Sequence, residues 1–145
     1  MRVVVQRCEE ASLKINGEIY SKINHGLVAL VGFTNGDTLK DIDYMVDKVI
    51  NLRIFDDEDG IMNKSVLDVS GEVLSVSQFT LYGNTKKGRR PSYIDSMKPD
   101  EATKLYDIFN QKLKEKIATK TGVFQAEMKV TLTNDGPVTL ILESR

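Results

Sequence analysis

The run Leu27-Val28-Ala29-Leu30-Val31-Gly32-Phe33 is apolar or glycine at every position, with no polar alternation. It lies between two clusters of turn formers, Asn24-His25-Gly26 and Asn35-Gly36-Asp37. A short continuous apolar run bounded in this way reads as a central strand of a sheet. It is also the longest apolar run of the chain, and it is far short of a membrane span. Around it, the chain must therefore supply further strands and something to cover them.

The strands come first. Val3 and Val5 open an apolar run, Ser12 to Ile15 resumes it after Glu9-Glu10, and Asn16-Gly17 signals a hairpin returning over residues 18–23. After Asn35-Gly36, Asp37 or Thr38 can cap a helix through a side-chain oxygen. Leu39, Ile42, Val46 and Val49 then recur at helical spacing, widened by Met45 and Leu52, which predicts a helix over 38–51. Residues 53–55 read as a short strand, Asp56-Asp57-Glu58-Asp59-Gly60 as an acidic turn, and 72–79 as the next strand. Pro99 suits the first position of a second helix, followed by Asp100 and Glu101. Ala102, Leu105, Tyr106, Phe109, Leu113 and Ile117 give that helix a buried face, and Gly122 stops it. Two last strands are expected over 124–133 and 138–143, joined by 134–137. The order βββαββαββ describes one mixed α+β domain over 1–145, a largely antiparallel sheet or barrel-like β core with two main helices.

Composition narrows the function. A chain of 145 residues with 41% hydrophobic content can bury a real core. Twenty basic against twenty-one acidic residues argues against a protein that coats nucleic acid nonspecifically, although a local basic patch can still meet one RNA end. Cys8 is the sole cysteine, so there is no intramolecular disulfide and no zinc-type spacing. The start, Met1-Arg2-Val3-Val4-Val5-Gln6-Arg7, has too short an apolar stretch for a signal peptide, and a soluble cytoplasmic protein is expected.

Two separated blocks carry the candidate chemistry. Ser77-Gln78-Phe79-Thr80-Leu81 ends an apolar strand with two hydroxyls and an amide. In a regular strand Ser77 and Thr80 face opposite sides, so they share a pocket only if the strand ends or bulges between them. Read plainly, this is a strand end whose hydroxyls satisfy turn amides; read functionally, it is a strand mouth whose freed N–H groups meet an oxyanion. Asn134-Asp135-Gly136-Pro137-Val138-Thr139 places an X-Pro bond between strand-like segments, where an ordinary trans hairpin is the local default. No conventional triad can be assembled. His25 is the sole histidine and sits in a turn; Cys8 has no basic neighbour beyond Arg7; the acidic run 56–59 lacks the spacing of a calcium loop.

Both blocks, in this order and at this separation, resemble the D-aminoacyl-tRNA deacylase family. The resemblance spans essentially the whole chain. It also takes in Met1-Arg2-Val3-Val4-Val5-Gln6-Arg7, Lys48-Val49-Ile50-Asn51-Leu52-Arg53-Ile54-Phe55 and Lys87-Gly88-Arg89-Arg90-Pro91. One departure stands at Gln125, where the family often has glycine after the phenylalanine matching Phe124. The resemblance implies a homodimeric enzyme that cleaves the ester joining a D-amino acid to tRNA. It implies that Ser77, Gln78, Phe79 and Thr80 line the catalytic site and that Phe124, Ala126 and Met128 wall the pocket. It further implies that Gly136-Pro137 is cis and enters the partner subunit's site, where its carbonyls crowd the position of an L side chain.

The residues allow substrate-assisted hydrolysis without cofactor or metal. An aminoacyl ester is already reactive, the neighbouring ribose hydroxyl can orient water, and the protein supplies positioning and backbone donors near Phe79 and Thr80. A covalent nucleophile at Thr80 or Ser77 would need a base that the sequence does not offer. Exclusion by rigid backbone rejects every L side chain but cannot reject glycine, so glycyl-tRNA is an expected substrate. Lys86, Lys87, Arg89 and Arg90 form either a solvated loop or a phosphate-binding one beside the strand mouth. Tyr82 and Tyr93 either stack on a terminal base or pack in the core. The runner-up reading is a nonenzymatic nucleic-acid-binding dimer that uses the same loop. A ligand-binding regulatory domain is weaker, because no charged clamp is present.

Overall fold

The structure, a computed structural model, describes all 145 residues. Strand β1 (Arg2–Ile15) turns at Asn16-Gly17 into β2 (Glu18–Ile23), which leads to β3 (Gly26–Gly32). Asn16 and Gly17 have φ of 51° and 80°, the left-handed pair a tight hairpin needs. Helix α1 (Leu39–Asn51) follows, then a small hairpin of β4 (Phe55–Asp56) and β5 (Met62–Lys64), then β6 (Glu72–Ser77). Helix α2 (Pro99–Lys114), β7 (Thr119–Thr121) and β8 (Lys129–Glu143) complete the chain.

β1 is the strand on which the sheet is built. One edge pairs antiparallel with β3 and then with β2, and the other pairs with β8 from Arg2 to Lys14. β3 continues parallel to β6, and β6 parallel to β7. The Ser21 hydroxyl on β2 donates to the Thr121 carbonyl at 2.6 Å, so the sheet nearly closes into a barrel. The fold class is therefore the expected mixed α+β one.

Two cores follow from this curvature. Leu27, Ala29 and Val31 of β3 join Val3 and Val5 under both helices, against Ile42, Met45, Val49, Phe109 and Leu113. Val28, on the opposite side of β3, packs with Cys8, Leu13, Ile23, Leu74 and Val76 inside the barrel. Both faces of β3 are buried, which explains its lack of alternation. β1 and β8 cross between the cores together. Val138 and Leu142 rest on the helix-side cluster, whereas Val130 and Leu132 rest on the barrel cluster.

Several element boundaries differ from the sequence reading. The two expected C-terminal strands are one, β8, which runs through 134–137 without turning back. Pairing along nearly the whole of β1 holds it straight, and the irregularity is absorbed as register shifts between Gln6 and Ala11. Residues 124–126 form a turn rather than a strand start, with Gln125 at φ 64°. That left-handed conformation is the one glycine adopts most readily, and here a glutamine holds it. α2 ends at Lys114, well before Gly122, because the chain is recruited into β7 beside β6. β5 was not anticipated, and β6 stops at Ser77 rather than residue 79. The order is βββαβββαββ instead of βββαββαββ.

Asp41 ties the start of α1 to the end of β8. Its carboxylate accepts from the Thr38 amide at 2.8 Å and hydroxyl at 3.0 Å, and from the Ser144 hydroxyl at 2.7 Å. Arg145 Nε lies 3.2 Å away. Burial pushes this carboxyl up, but the bonds from Ser144 and Thr38 and the Arg145 charge outweigh it and hold the pKa at about 2. A lowered folded-state pKa adds stability above the ordinary value of 3.8 and loses it as pH falls through about 2. The contribution is about 2 kcal/mol at neutral pH. Urea unfolding of Asp41→Asn against the parent should show a gap of that size near neutrality, closing toward zero by about pH 2. A gap that stays constant over that range would contradict the assignment.

Candidate active site

β6 leaves the sheet where its parallel partner runs out. The last paired residue is Ser77, opposite Val31, and the Gln78 amide donates to the Val31 carbonyl at 2.7 Å. The chain then winds into one 3-10 turn over Phe79–Tyr82. Leu81 N–H bonds the Gln78 carbonyl at 3.3 Å, but the first amides of a helical turn have no partner inside it. Phe79 and Thr80 N–H also find none among the turn, loop and side-chain hydrogen bonds. The strand end thus presents two unpaired donors. Phe79 itself is exposed and meets the Tyr93 ring edge-on at 5.1 Å.

A cavity of about 700 Å³ opens beside this turn. Ser77, Gln78 and Phe79 form one side of it, and Phe124, Ala126 and Met128 another. Val31, Phe33 and Val76 supply the sheet floor, while Met97, Lys98, Pro99 and Ala102 bring in the start of α2. That last wall was not read from the sequence, since long-range contacts place it. Met97 N–H donates to the Phe33 carbonyl at 3.0 Å, the Thr34 hydroxyl to the Asp95 carbonyl at 2.6 Å, and the Ser96 hydroxyl to the Phe79 carbonyl at 3.0 Å. Gln125 also borders the cavity. Thr80 does not; its hydroxyl accepts from the Gln78 side-chain amide just outside.

The cavity is lined by no histidine, cysteine or carboxylate. His25 sits against the edge of Phe55 at 5.2 Å. Cys8 is buried within β1, and that burial pushes its thiol up to about 11, so it is no thiolate near neutrality. Burial likewise raises Tyr82 to about 12; its ring lies under the Arg2 guanidinium at 4.8 Å. The Asp57 carboxylate accepts the Asp59 and Ile61 amides, closing its own turn, and Glu58 pairs with Lys64. Lys86, Lys87, Arg89 and Arg90 are exposed, make no ion pair, and extend beyond the 3-10 turn without entering the cavity.

Gly136-Pro137 is a cis peptide, with Gly136 at φ 124°. Both residues are exposed and stand away from this chain's own cavity. They are held from beneath by Arg7, which is 6% exposed. Its guanidinium donates to the Ile54 carbonyl at 2.8 Å and the Asp135 carbonyl at 3.1 Å, and pairs with the carboxylates of Asp56 at 3.3 Å and Asp135 at 3.2 Å. A side chain at residue 136 would bring its Cβ within 2.8 Å of Val138 Cγ2 and 3.1 Å of Arg7 Nη2. Opposite, Val138 N–H donates to Asn134 Oδ1 at 2.9 Å. Arg7 was missed as a site residue. Its signal was its phase, since it follows Val3 and Val5 on the inward-facing side of an apolar strand.

Comparison with known proteins identifies the family and the fold. A family model described as D-Tyr-tRNA(Tyr) deacylase matches residues 4–143. The D-aminoacyl-tRNA deacylase of Bacillus cereus (strain AH187) is 58% identical, covering 100% of both chains. That of Geobacillus sp. (strain WCH70) is 56% identical over 100% of this chain and 96% of its own. Among solved structures, c-Myc DNA Unwinding Element Binding Protein superposes with a TM-score of 0.95 at 42% identity, covering 100% of this chain and 99% of the other. A probable eukaryotic D-amino acid tRNA deacylase shares the fold, with a TM-score of 0.85 at 18% identity over 98% of each chain. With a model matching nearly end to end and full-length relatives above half identity, the chain belongs to the D-Tyr-tRNA(Tyr) deacylase family of hydrolases.

Proposed function

We propose that this hydrolase cleaves the ester joining a D-amino acid or glycine to the acceptor end of tRNA, releasing the free amino acid and the tRNA. The observation that carries the reading is the pair of unpartnered amides at Phe79 and Thr80, beside a cavity lined by no histidine, cysteine or carboxylate. An ester with a good intrinsic rate needs little more than positioning and a donor for the developing oxyanion. Water adds to the ester carbonyl and the oxyanion is met by the Phe79 and Thr80 N–H groups. The bond to the ribose oxygen then breaks, and that oxygen takes up the proton. The adjacent ribose hydroxyl orients the attacking water.

Chirality is read by backbone. Gly136-Pro137 projects from β8 away from its own cavity, so a second copy of the chain must supply the partner for each site. The exposed Leu140 and Ile141 further along β8 offer apolar area for that homodimer. The Gly136 and Pro137 carbonyls, in a backbone segment that Arg7 anchors through the neighbouring Asp135, reject an L side chain of any identity, and they leave glycine unopposed. The unpaired cations at Lys86, Lys87, Arg89 and Arg90 meet phosphates of the acceptor end. In a cytoplasmic setting this activity serves proofreading in translation. The nucleic-acid-binding reading has some support in the basic loop and in the name of the neighbour at 42% identity, but it leaves the cavity and Gly136-Pro137 without a purpose.

Hydrolysis of D-tyrosyl-, L-tyrosyl- and glycyl-tRNA by the purified protein tests the reading. The D and glycyl esters should disappear rapidly while the L ester survives. Glycyl ester as inert as the L ester would contradict backbone exclusion, and binding without cleavage of any ester would favour the nucleic-acid-binding reading. Thr80→Ala should retain kcat within about tenfold of the parent, because its amide remains. Complete loss in a folded variant, with an acyl-enzyme trapped on the parent, would contradict RNA-assisted hydrolysis.

A further inference from the structure

We propose that Lys98 is a specificity-determining residue of this site, taking the phosphodiester that joins the terminal nucleoside to the rest of the RNA. The inference rests on the deacylase reading and names which part of the substrate the cavity's one charge recognises. Seventeen residues line the cavity, and Lys98 is the only charged one among them. Although Asp95, Asp100 and Glu101 are close in sequence, Lys98 takes part in none of the eight ion pairs of the molecule. An exposed, unpaired ammonium at the edge of a mostly apolar cavity lacks any structural employment.

Its position adds to the charge. Lys98 is the N-cap of α2, a helix of 16 residues, and its carbonyl accepts from the Glu101 and Ala102 amides at 3.2 and 2.9 Å. The positive end of the helix therefore lies at the same wall and reinforces an anion there, partly offset by exposed Asp100 and Glu101. The segment is anchored to the oxyanion turn two residues earlier, where the Ser96 hydroxyl donates to the Phe79 carbonyl at 3.0 Å. Two residues of extended chain reach on the order of 7 Å. That is the scale of one nucleotide, from its 5′-phosphate to an ester on its ribose.

The substrate offers two charged groups near the reacting bond, the cationic α-amino group of the amino acid and the anionic phosphodiester. A lysine attracts the second and repels the first. Lys98 therefore sets the direction in which the nucleotide enters, phosphate toward α2 and aminoacyl group toward Phe79. As a point charge on a flexible stem, it suits one phosphate without demanding bidentate geometry.

The test compares three D-tyrosyl esters: full-length tRNA, adenosine carrying a 5′-phosphate, and adenosine without one. Lys98→Gln should raise KM for the two phosphorylated esters by roughly five- to tenfold with kcat nearly unchanged, and lower the salt slope for tRNA by about 0.7. The unphosphorylated ester should be cleaved equally by variant and parent, and Lys98→Arg should restore the loss. An equal change for phosphorylated and unphosphorylated adenosine esters, or no change for either, would overturn the proposal. If the parent cleaves none of the three, the deacylase reading fails and this inference with it.

Discussion

The buried guanidinium of Arg7 sits where β1 and β8 cross from one core to the other, and two other segments of the chain converge on it. It joins β1 to the Ile54 carbonyl and Asp56 of the β4 region, and to both the carbonyl and carboxylate of Asp135. A buried cation without partners would be costly, by several kcal/mol; with carbonyls and carboxylates on several sides it becomes a fixed point instead. The fork geometry matters, because one planar group holds acceptors from different strands at once. Gly136 rests directly against it, and a Cβ there would stand 3.1 Å from Arg7 Nη2 and only 2.8 Å from Val138 Cγ2. This exposed stretch of β8 is thereby anchored to the core beneath it, as the proposed exclusion by backbone requires.

The opposite requirement governs the cavity. Acid–base catalysis by a side chain most often falls to a histidine or a carboxylate, and neither lines this site. What the fold provides is a strand that ends early. β6 loses its partner at Ser77, the chain tightens into a 3-10 turn, and two amides are released from the ladder at the edge of an apolar cavity. Fixed dipoles of this kind require no reorganisation as charge develops, and they are worth more in a water-poor site than in bulk solvent. The start of α2 completes the enclosure and brings in Lys98 as the single full charge.

Much of this was legible where local pattern and tertiary environment agree. The continuous run of β3 announced a strand buried on both sides, and the 3.6-residue stripes of α1 and α2 announced helices against it. Ser77, Gln78, Phe79, Phe124, Ala126 and Met128 do gather around one cavity, while Thr80 and the basic loop stand outside. The failures share a cause. Asn134-Asp135-Gly136-Pro137 is a turn by every local rule, yet β1 templates β8 straight through it. β7, three residues long, exists only because β6 has a free edge to offer. Tyr93, Ser96 and Lys98 reach the cavity through hydrogen bonds to Thr34, Phe33 and Phe79, which no window of sequence contains. Arg7 left a trace in its inward phase, but its partners lie 47 and 128 residues away.

Chirality read by a backbone that Arg7 immobilises is the claim on which the rest turns. The most direct measurement is the ratio of kcat/KM for D-tyrosyl- over L-tyrosyl-tRNA in Arg7→Lys compared with the parent, in protein shown to melt cooperatively. Lysine keeps the buried charge but cannot hold the Ile54 and Asp135 carbonyls together. The ratio is expected to fall at least about tenfold, through a gain in L-ester hydrolysis and with D-ester hydrolysis largely kept. An unchanged ratio in the folded variant would contradict the claim.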